Sequence, residues 1–386
     1  MTAQATDWPS LFDGGVPLEL PLNLERLARI PGKRGVFLLE GEGCSPVLLA
    51  TAANIRSRMA FKLADPEEAV PNRDASRLGP RPTRRADLRE ISRRLWWKFA
   101  DSHFEADWRF LGLARRIYPD RYLKLLKLQP PWFIRVDLDE PIPWPQRTRE
   151  LAGTGGRYFG PFSDGRSAGQ YIETLQDAFD LCRHEAILRK APAGTACVYA
   201  QMSRCRAFCD GRASLDEYRR ALAEAVDFLG GRHEPARHAM KAQMAELAAA
   251  KLYERAAILK SRLARLAELE KPEYRHVRPA EDFRFLFIQR GPGTRKLKCF
   301  FVDRGAMAEP TLVALPPAEA ALAELLAAAA AFFAAPRELG LVEREQAALV
   351  AHYLFGNPER LGLVMPWSPA LTPAALAARI EEAIVR

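Results

Sequence analysis

The sequence predicts an α+β, multi-domain protein, and three observations carry that expectation. Its 386 residues exceed one ordinary core, at roughly 100–200 residues per domain. Short β-type apolar runs such as GVFLLE and FRFLFIQ alternate with longer segments whose apolar residues recur at helical spacing. Clusters of proline and charge, such as EPIPWP at 140–145, punctuate these pieces. A hydrophobic content of 48% excludes a wholly disordered chain. No apolar run reaches the roughly 20 residues of a membrane helix, since the most apolar stretch, 318–335, is alanine broken by Glu319 and Glu324. The N-terminus lacks a basic-then-apolar signal pattern, so a cytoplasmic protein without a membrane partner is expected.

The elements follow in order. Residues 1–27 read as a loose lead-in, interrupted by Pro17 and Pro21. Residues 35–40, a glycine-rich turn and 46–51 predict a β-hairpin. Ile55, Met59 and Leu63 give 53–63 a helical face. Residues 64–85 are rich in proline and charge and read as a loop. Helices are expected at 86–100 and 104–118, the second closed by Pro119, and a strand at 132–138. EPIPWP then reads as a domain boundary. A second unit opens near Arg157, with helices at 167–181 and 215–229, the latter ended by Gly230 and Gly231. Met244, Leu247, Leu252, Ala256, Leu259, Leu263 and Leu266 form a stripe too short for a free coiled coil, which favours a helical hairpin. After Pro272 come strands at 283–289 and 297–303, an alanine-rich helix, a helix at 343–355 and a final helix.

Lys and Arg number 57 against 48 Asp and Glu, a net charge of +9 that suits an anionic partner, nucleic acid before membrane surface. Of six cysteines, Cys44 and Cys299 are isolated, while Cys182, Cys197, Cys205 and Cys209 are spaced C-x14-C-x7-C-x3-C. In a reducing compartment such a cluster binds metal or a redox centre more often than it forms disulfides. Four thiolates suit a tetrahedral Zn²⁺ or an Fe–S cluster. Arg183, Arg189, Lys190, Arg204, Arg206 and Arg212 would lower the thiol pKa values and offset the negative charge of such a centre. The competing reading is four buried free thiols.

Four pieces, in order, resemble the N-terminal half of the UvrC family of excinuclease subunits and its shorter homologues. IPGKRGVFLLE (30–40) looks like the opening of a GIY-YIG nuclease domain. GRYFGPFSDGRSAGQYIETLQDAFDLC (156–182) is similar to the family's Y-F-G-P-Y segment. Residues 196–231 keep its x7 and x3 cysteine gaps, and LYERAAILKSRL within 244–269 looks like its UVR hairpin, which docks on the UvrB helicase. The resemblance implies a degenerate GIY-YIG-like domain at 28–139 and a Cys-rich module at 150–231. A UVR-like hairpin at 238–271 and a small α+β domain at 272–386 would follow.

The family's nuclease uses tyrosines, an arginine, a lysine and a metal-holding glutamate, because phosphoryl attack needs a deprotonated nucleophile, a metal anchor and cations. Only the arginine is retained, at Arg58, with Arg56 and Asn54 beside it. The tyrosines fall on Phe37 and Leu48, the following glycine on Ala50, the lysine on Thr51 and the glutamate on Phe110. The resemblance therefore implies a dead centre, or one rewired through Arg58, Glu105 and His103, with Asp107 a further acid; Mg²⁺ or Mn²⁺ would be required only if it is active. A second nuclease half is not expected in the 115 residues from 272 onward (386 minus 271), where Asp282 and Asp303 stand at strand ends.

Arg73, Arg77, Arg81, Arg84, Arg85, Arg89, Arg93, Arg94 and Lys98 precede or flank Trp96 and Trp97. Such a run supplies DNA affinity through counterion release, and the indoles would stack on unpaired bases. Arg56, Arg84, Arg85, Arg89, Arg93, Trp96 and Arg157, the last beside Tyr158, are the candidate DNA contacts. The competing reading puts the arginines on the solvated face of a helix. The hairpin's Tyr253, Glu254, Arg255 and Lys260 are candidate contacts to a UvrB-like helicase. The function expected is nucleotide excision repair with an inactive nuclease centre. The alternatives are an active structure-selective endonuclease making one incision, and an Fe–S redox-responsive DNA-binding scaffold.

Overall fold

Among the described residues, three antiparallel sheets organise the chain. The computed structural model describes residues 8–19, 22–63, 88–122, 128–151, 155–202, 204–336 and 340–385. The loop expected at 64–85 lies outside them. No helix among these residues is long and apolar enough to cross a membrane.

The first sheet runs β1 (Gly14–Pro17), β4 (Arg94–Phe99), β2 (Gly35–Glu40), β3 (Pro46–Ala52). The expected hairpin is β2–β3. Two sequence expectations are corrected here. Of the helix expected at 86–100, the described residues form one helical turn, Leu88–Ile91, followed by the strand β4. Leu88, Ile91 and Leu95 mimic helical spacing, but Leu95, Trp96, Trp97 and Phe99 are bulky β formers, and β4 is central, bonded on both sides to β1 and β2. The lead-in also contributes an edge strand. It does so with glycine, because a Cβ on Gly15 would lie 2.4 Å from the Trp96 ring.

Alternate residues of this sheet face two layers. Phe37, Leu39 and Leu95 pack on α1 (Ile55–Leu63) through Ile55, Met59 and Leu63. Val36, Leu38 and Trp96 pack on α2 (His103–Ile117) through Leu113, Ala114 and Ile117. Helix α2 begins at Ser102, whose hydroxyl accepts from the Glu105 N–H at 3.0 Å.

The second sheet runs β6 (Gln146–Thr148), β5 (Trp132–Val136), β7 (Arg157–Phe162), β8 (Arg278–Pro279). The proline-rich 140–145 segment, read as a boundary, joins the paired strands β5 and β6, and the Tyr218 hydroxyl donates to the Pro143 carbonyl at 3.0 Å. One core holds this sheet against α3 (Gly165–Ala178) and α4 (Leu215–Leu229). The hairpin is α5 (His233–Ala249) and α6 (Tyr253–Leu269), and it enters the same core through Leu266 and Leu269.

The third sheet runs β11 (Ala306–Met307), β10 (Lys296–Asp303), β9 (Arg284–Arg290), β13 (Leu363–Pro366), with β12 (Thr311–Ala314) also on β10. Leu286 and Ile288 face α7 (Glu319–Ala334) and α9 (Pro373–Ile380). Phe285 and Phe287 face α8 (Leu341–Gly356) and also Phe104 and Trp108 of α2. Helix α2 is thus wedged between the first and third sheets.

Polar contacts lock that wedge. Glu105, fully buried, accepts from Lys298 Nζ at 2.7 Å through both oxygens, from Arg109 Nε at 2.9 Å and from the Asp101 N–H at 2.8 Å. Asp107 accepts from the Tyr353 hydroxyl at 2.6 Å, and Glu345 from Arg115 and the Tyr122 hydroxyl, both at 2.7 Å. Removing one member of a buried ion pair strands the other. Lys298→Met should lower unfolding stability by about 3 kcal/mol, the low end for such losses because Arg109 remains. The check is the urea midpoint at constant m, with Glu105→Gln/Lys298→Met recovering part of the loss.

His276 lies beside Phe285 and Phe355 and accepts from Arg275 Nε at 3.0 Å. Burial first, then Arg275 and Arg278, push its pKa down to about 4 from 6.5. The unfolded chain therefore binds a proton that the folded chain refuses, so this histidine's contribution is present above pH 6.5 and is lost as pH falls toward 4. Denaturation midpoints should fall across that window, and less steeply in His276→Phe.

Candidate functional site

The positions on which the resemblance places a nuclease centre lie on β2, β3, α1 and α2. Phe37, at 0% exposure, sits in the apolar cluster with Ile55, Met59 and Leu63, and Leu48 packs against it. Thr51 pairs with Val36, which turns it toward the opposite layer. Phe110 is in that opposite layer too, against the cluster of Phe12, Val36 and Trp96. The substituted positions are therefore divided between two faces of one sheet. They do not converge on a pocket.

The alternative acids are occupied elsewhere. Glu105 is spent on Lys298 and Arg109, and Asp107 on Tyr353. His103 lies 3.2 Å from an Arg34 nitrogen, and burial, then Arg34, lower its pKa. All three are on α2, whereas Arg58 is on α1, across the sheet. A centre rewired through Arg58, Glu105 and His103 does not form. The sequence could not reveal this, because the partners of Glu105 and Asp107 come from the third sheet and its helix.

The candidate DNA contacts divide as well. Arg84 and Arg85, with Arg73, Arg77 and Arg81, lie outside the described residues. Trp96 is 7% exposed, stacks on Phe12 and donates its indole N–H to the Glu40 carboxylate, so it has no face to offer a base. Arg56 is tied to backbone, donating from Nε to the Ile30 carbonyl at 2.7 Å. Arg93 pairs with Glu42 at 3.0 Å, and Arg89 is half-buried. Arg157 is exposed, its guanidinium 5.1 Å from the Phe159 ring centre, and Arg58 is exposed with no acidic partner among the described residues.

The cysteine region is ordered by short turns between α3 and α4. Cys182, Cys205 and Cys209 are buried and Cys197 is half-buried. Burial first, then the charges of Cys205, Cys209 and Cys197, push the Cys182 thiol up to about 11. Cys205 and Cys209 are raised with burial as the main cause, and each also feels Cys197. The four thiols thus lie within one another's field. The expected pKa lowering by arginine is absent at these three thiols, because the arginines answer acids: Arg183 pairs with Asp177, Arg189 with Glu185, Arg206 with Asp180 and Arg212 with Asp210.

The donor chemistry suits a soft metal, and the Ala207 N–H donates to Cys205 Sγ at 3.4 Å, as it would to a thiolate. Cys182 Sγ and Cys209 Sγ instead donate to the carbonyls of His184 (3.6 Å) and Thr195 (3.8 Å). Among the described residues no three His, Cys, Asp or Glu side chains are arranged to hold a metal ion. The sulfurs are gathered but not closed on a point.

On the hairpin, Ala256, Leu259, Leu266 and Leu269 face inward. Tyr253 is 67% exposed beside exposed Leu252 and Ile258, with Glu254, Arg255 and Lys260 around them. The sequence reading missed Asp180, in left-handed backbone at φ 53, which pairs with Arg262 of α6 and with Arg206 of the cysteine region. Burial raises its pKa against the pull of both arginines. An Asp just past a helix end is a local signal for that backbone, though nothing local points to Arg262.

Residues 132–228 match the middle domain of UvrC/Cho excinucleases. The chain is 28% identical to UvrABC system protein C of Moorella thermoacetica, over 73% of this chain and 43% of that protein. It is 28% identical to the Gemmatimonas aurantiaca protein of the same name, over 64% of this chain and 38% of that one. Over a shorter stretch, 35% of this chain and 22% of the relative, it is 33% identical to UvrABC system protein C of Syntrophus aciditrophicus. The chain spans about two-fifths of the length of the first two of these relatives. No solved structure matches it. The matched segment takes in β5, β6 and β7 of the second sheet, the cysteine region and α4 to its last turn, and that segment is UvrC-like.

Proposed function

We propose that this protein serves nucleotide excision repair as a DNA-binding, UvrC-like protein without a working nuclease centre in its N-terminal unit. The observation that carries the second half is Phe37, fully buried in an apolar cluster where a GIY-YIG nuclease presents a phenol. Burial in hydrocarbon suits neither a nucleophile nor a metal-bound water. Exposed Arg58 and Arg157 supply phosphate contacts. The exposed Leu252, Tyr253 and Ile258, edged by Glu254, Arg255 and Lys260, suit a helix-on-helix contact with a UvrB-like helicase. Cys182, Cys197, Cys205 and Cys209 would hold one Fe–S cluster or Zn²⁺, which would tie the turns between α3 and α4 together.

Four measurements test this reading. DNA should be retained at low salt and released steeply as salt rises. No nicking should occur with Mg²⁺ or Mn²⁺, and metal-dependent nicking abolished by Arg58→Ala would overturn the inactive assignment. Metal analysis of anaerobically purified protein should find one metal centre per chain, lost in Cys205→Ser; metal-free wild-type protein would remove the cofactor. Tyr253→Ala should weaken a helicase complex about tenfold or more, as for an exposed aromatic anchor.

A further inference from the structure

We propose that a cavity between α2, β4 and the third-sheet unit binds a phosphomonoester, a site that does not depend on the excision-repair reading. The cavity has a volume of about 220 Å³ and is lined by Lys98, Arg109, Gly112, Arg116, Glu309 and Gln346, among others. That is below the roughly 300–1,000 Å³ that encloses a whole drug-sized ligand. It has room for a phosphate group, with the rest of its bearer outside.

Arg109, Gly112 and Arg116 recur at three and four residues along α2, so they share one face. The two arginine Cα atoms are about 10 Å apart along the axis, with the glycine between them. Arg116 is exposed and has no acidic partner among the described residues. Lys98 Nζ donates to the Leu11 carbonyl at 3.2 Å, which leaves further N–H donors for a ligand. Arg109 is 3.6 Å from Glu309, whose side chain is 75% exposed and free to swing away. Its other acid, Glu105, is shared with Lys298, which also pairs with Asp101. The lining therefore carries three cations against one carboxylate, a net +2 that matches the dianion of a phosphomonoester better than a monoanionic diester.

Gly112 is the second, independent observation. Glycine inside a helix is less favourable than alanine, and it is usually kept where a neighbour leaves no room. Here a Cβ would meet no heavy atom within 4 Å. Packing does not require this glycine. A ligand lying along the bare helix backbone between two guanidinium groups does.

The bearer of the phosphate is either the 5′ end of a nucleic-acid strand or a free nucleotide, and the same experiment separates them. The full chain is titrated with a fluorescent single strand carrying a 5′-phosphate and with the same strand ending in a 5′-hydroxyl, using orthophosphate and deoxyadenosine monophosphate as competitors. The phosphorylated strand should bind about tenfold more tightly, the worth of one charge-assisted contact set. Arg116→Ala and Gly112→Ala should abolish that preference, Gly112→Ala with an unchanged or higher melting temperature, and Glu309→Gln should strengthen it. Competition by the mononucleotide equal to that by the phosphorylated strand supports the site with a free nucleotide as its ligand; much weaker competition supports a strand end. Equal binding of both strands with no competition by either small anion, or a full preference retained in Gly112→Ala, overturns the proposal.

Discussion

One carboxylate holds two parts of this molecule in register. Glu105 is fully buried, and burying a charge is tolerable only when partners replace the lost water. Arg109 and the Asp101 N–H supply partners from close by, and Lys298 supplies another from a strand 193 residues further on. Such a pair contributes little net stability over an apolar substitute, but it strongly disfavours arrangements that leave it unmade. Around it, Phe104 meets Phe287, Phe300 and Tyr353 edge to face, with ring centres 5.4–5.5 Å apart. The ions fix the position and the rings supply the burial.

The same helix explains why Arg58 has no acid of α2 beside it. Its carboxylates point at the third sheet because its aromatic stripe does, and helical geometry carries residues 105 and 107 to the side set by residues 104 and 108. Its other stripe covers the first sheet, opposite α1 and Arg58. A hydrophobic sheet stands between the remaining cation and every candidate acid on α2.

Much of the fold was legible because its strongest signals are local. The β2–β3 hairpin, α1, α2, α4, the helical hairpin and strands β9 and β10 follow from period, caps and turn residues. The strand β4 was misread because Leu88, Ile91 and Leu95 fall on a helical period by coincidence, while pairing with β1 and β2 decides the outcome. Trp96 was misread for a related reason: its partner Glu40 lies on the neighbouring strand, where no spacing rule reaches. The gathering of the cysteines was visible in their spacing. The pairing of their arginines with Asp177, Asp180, Glu185 and Asp210 was only partly so, since Asp177 lies on α3 and Asp180 just past its end. The link from Asp180 to Arg262 is purely tertiary.

The wedge position of α2 has a consequence for how this chain can be divided. Cut after α2, the N-terminal piece would present Phe104 and Trp108 to water and leave Glu105 without Lys298. Such a fragment would be sticky and short-lived, whatever its sheet can do alone. Evolutionary shuffling of this unit, like any laboratory dissection of it, must therefore carry the distant strand along or rewrite one whole side of the helix.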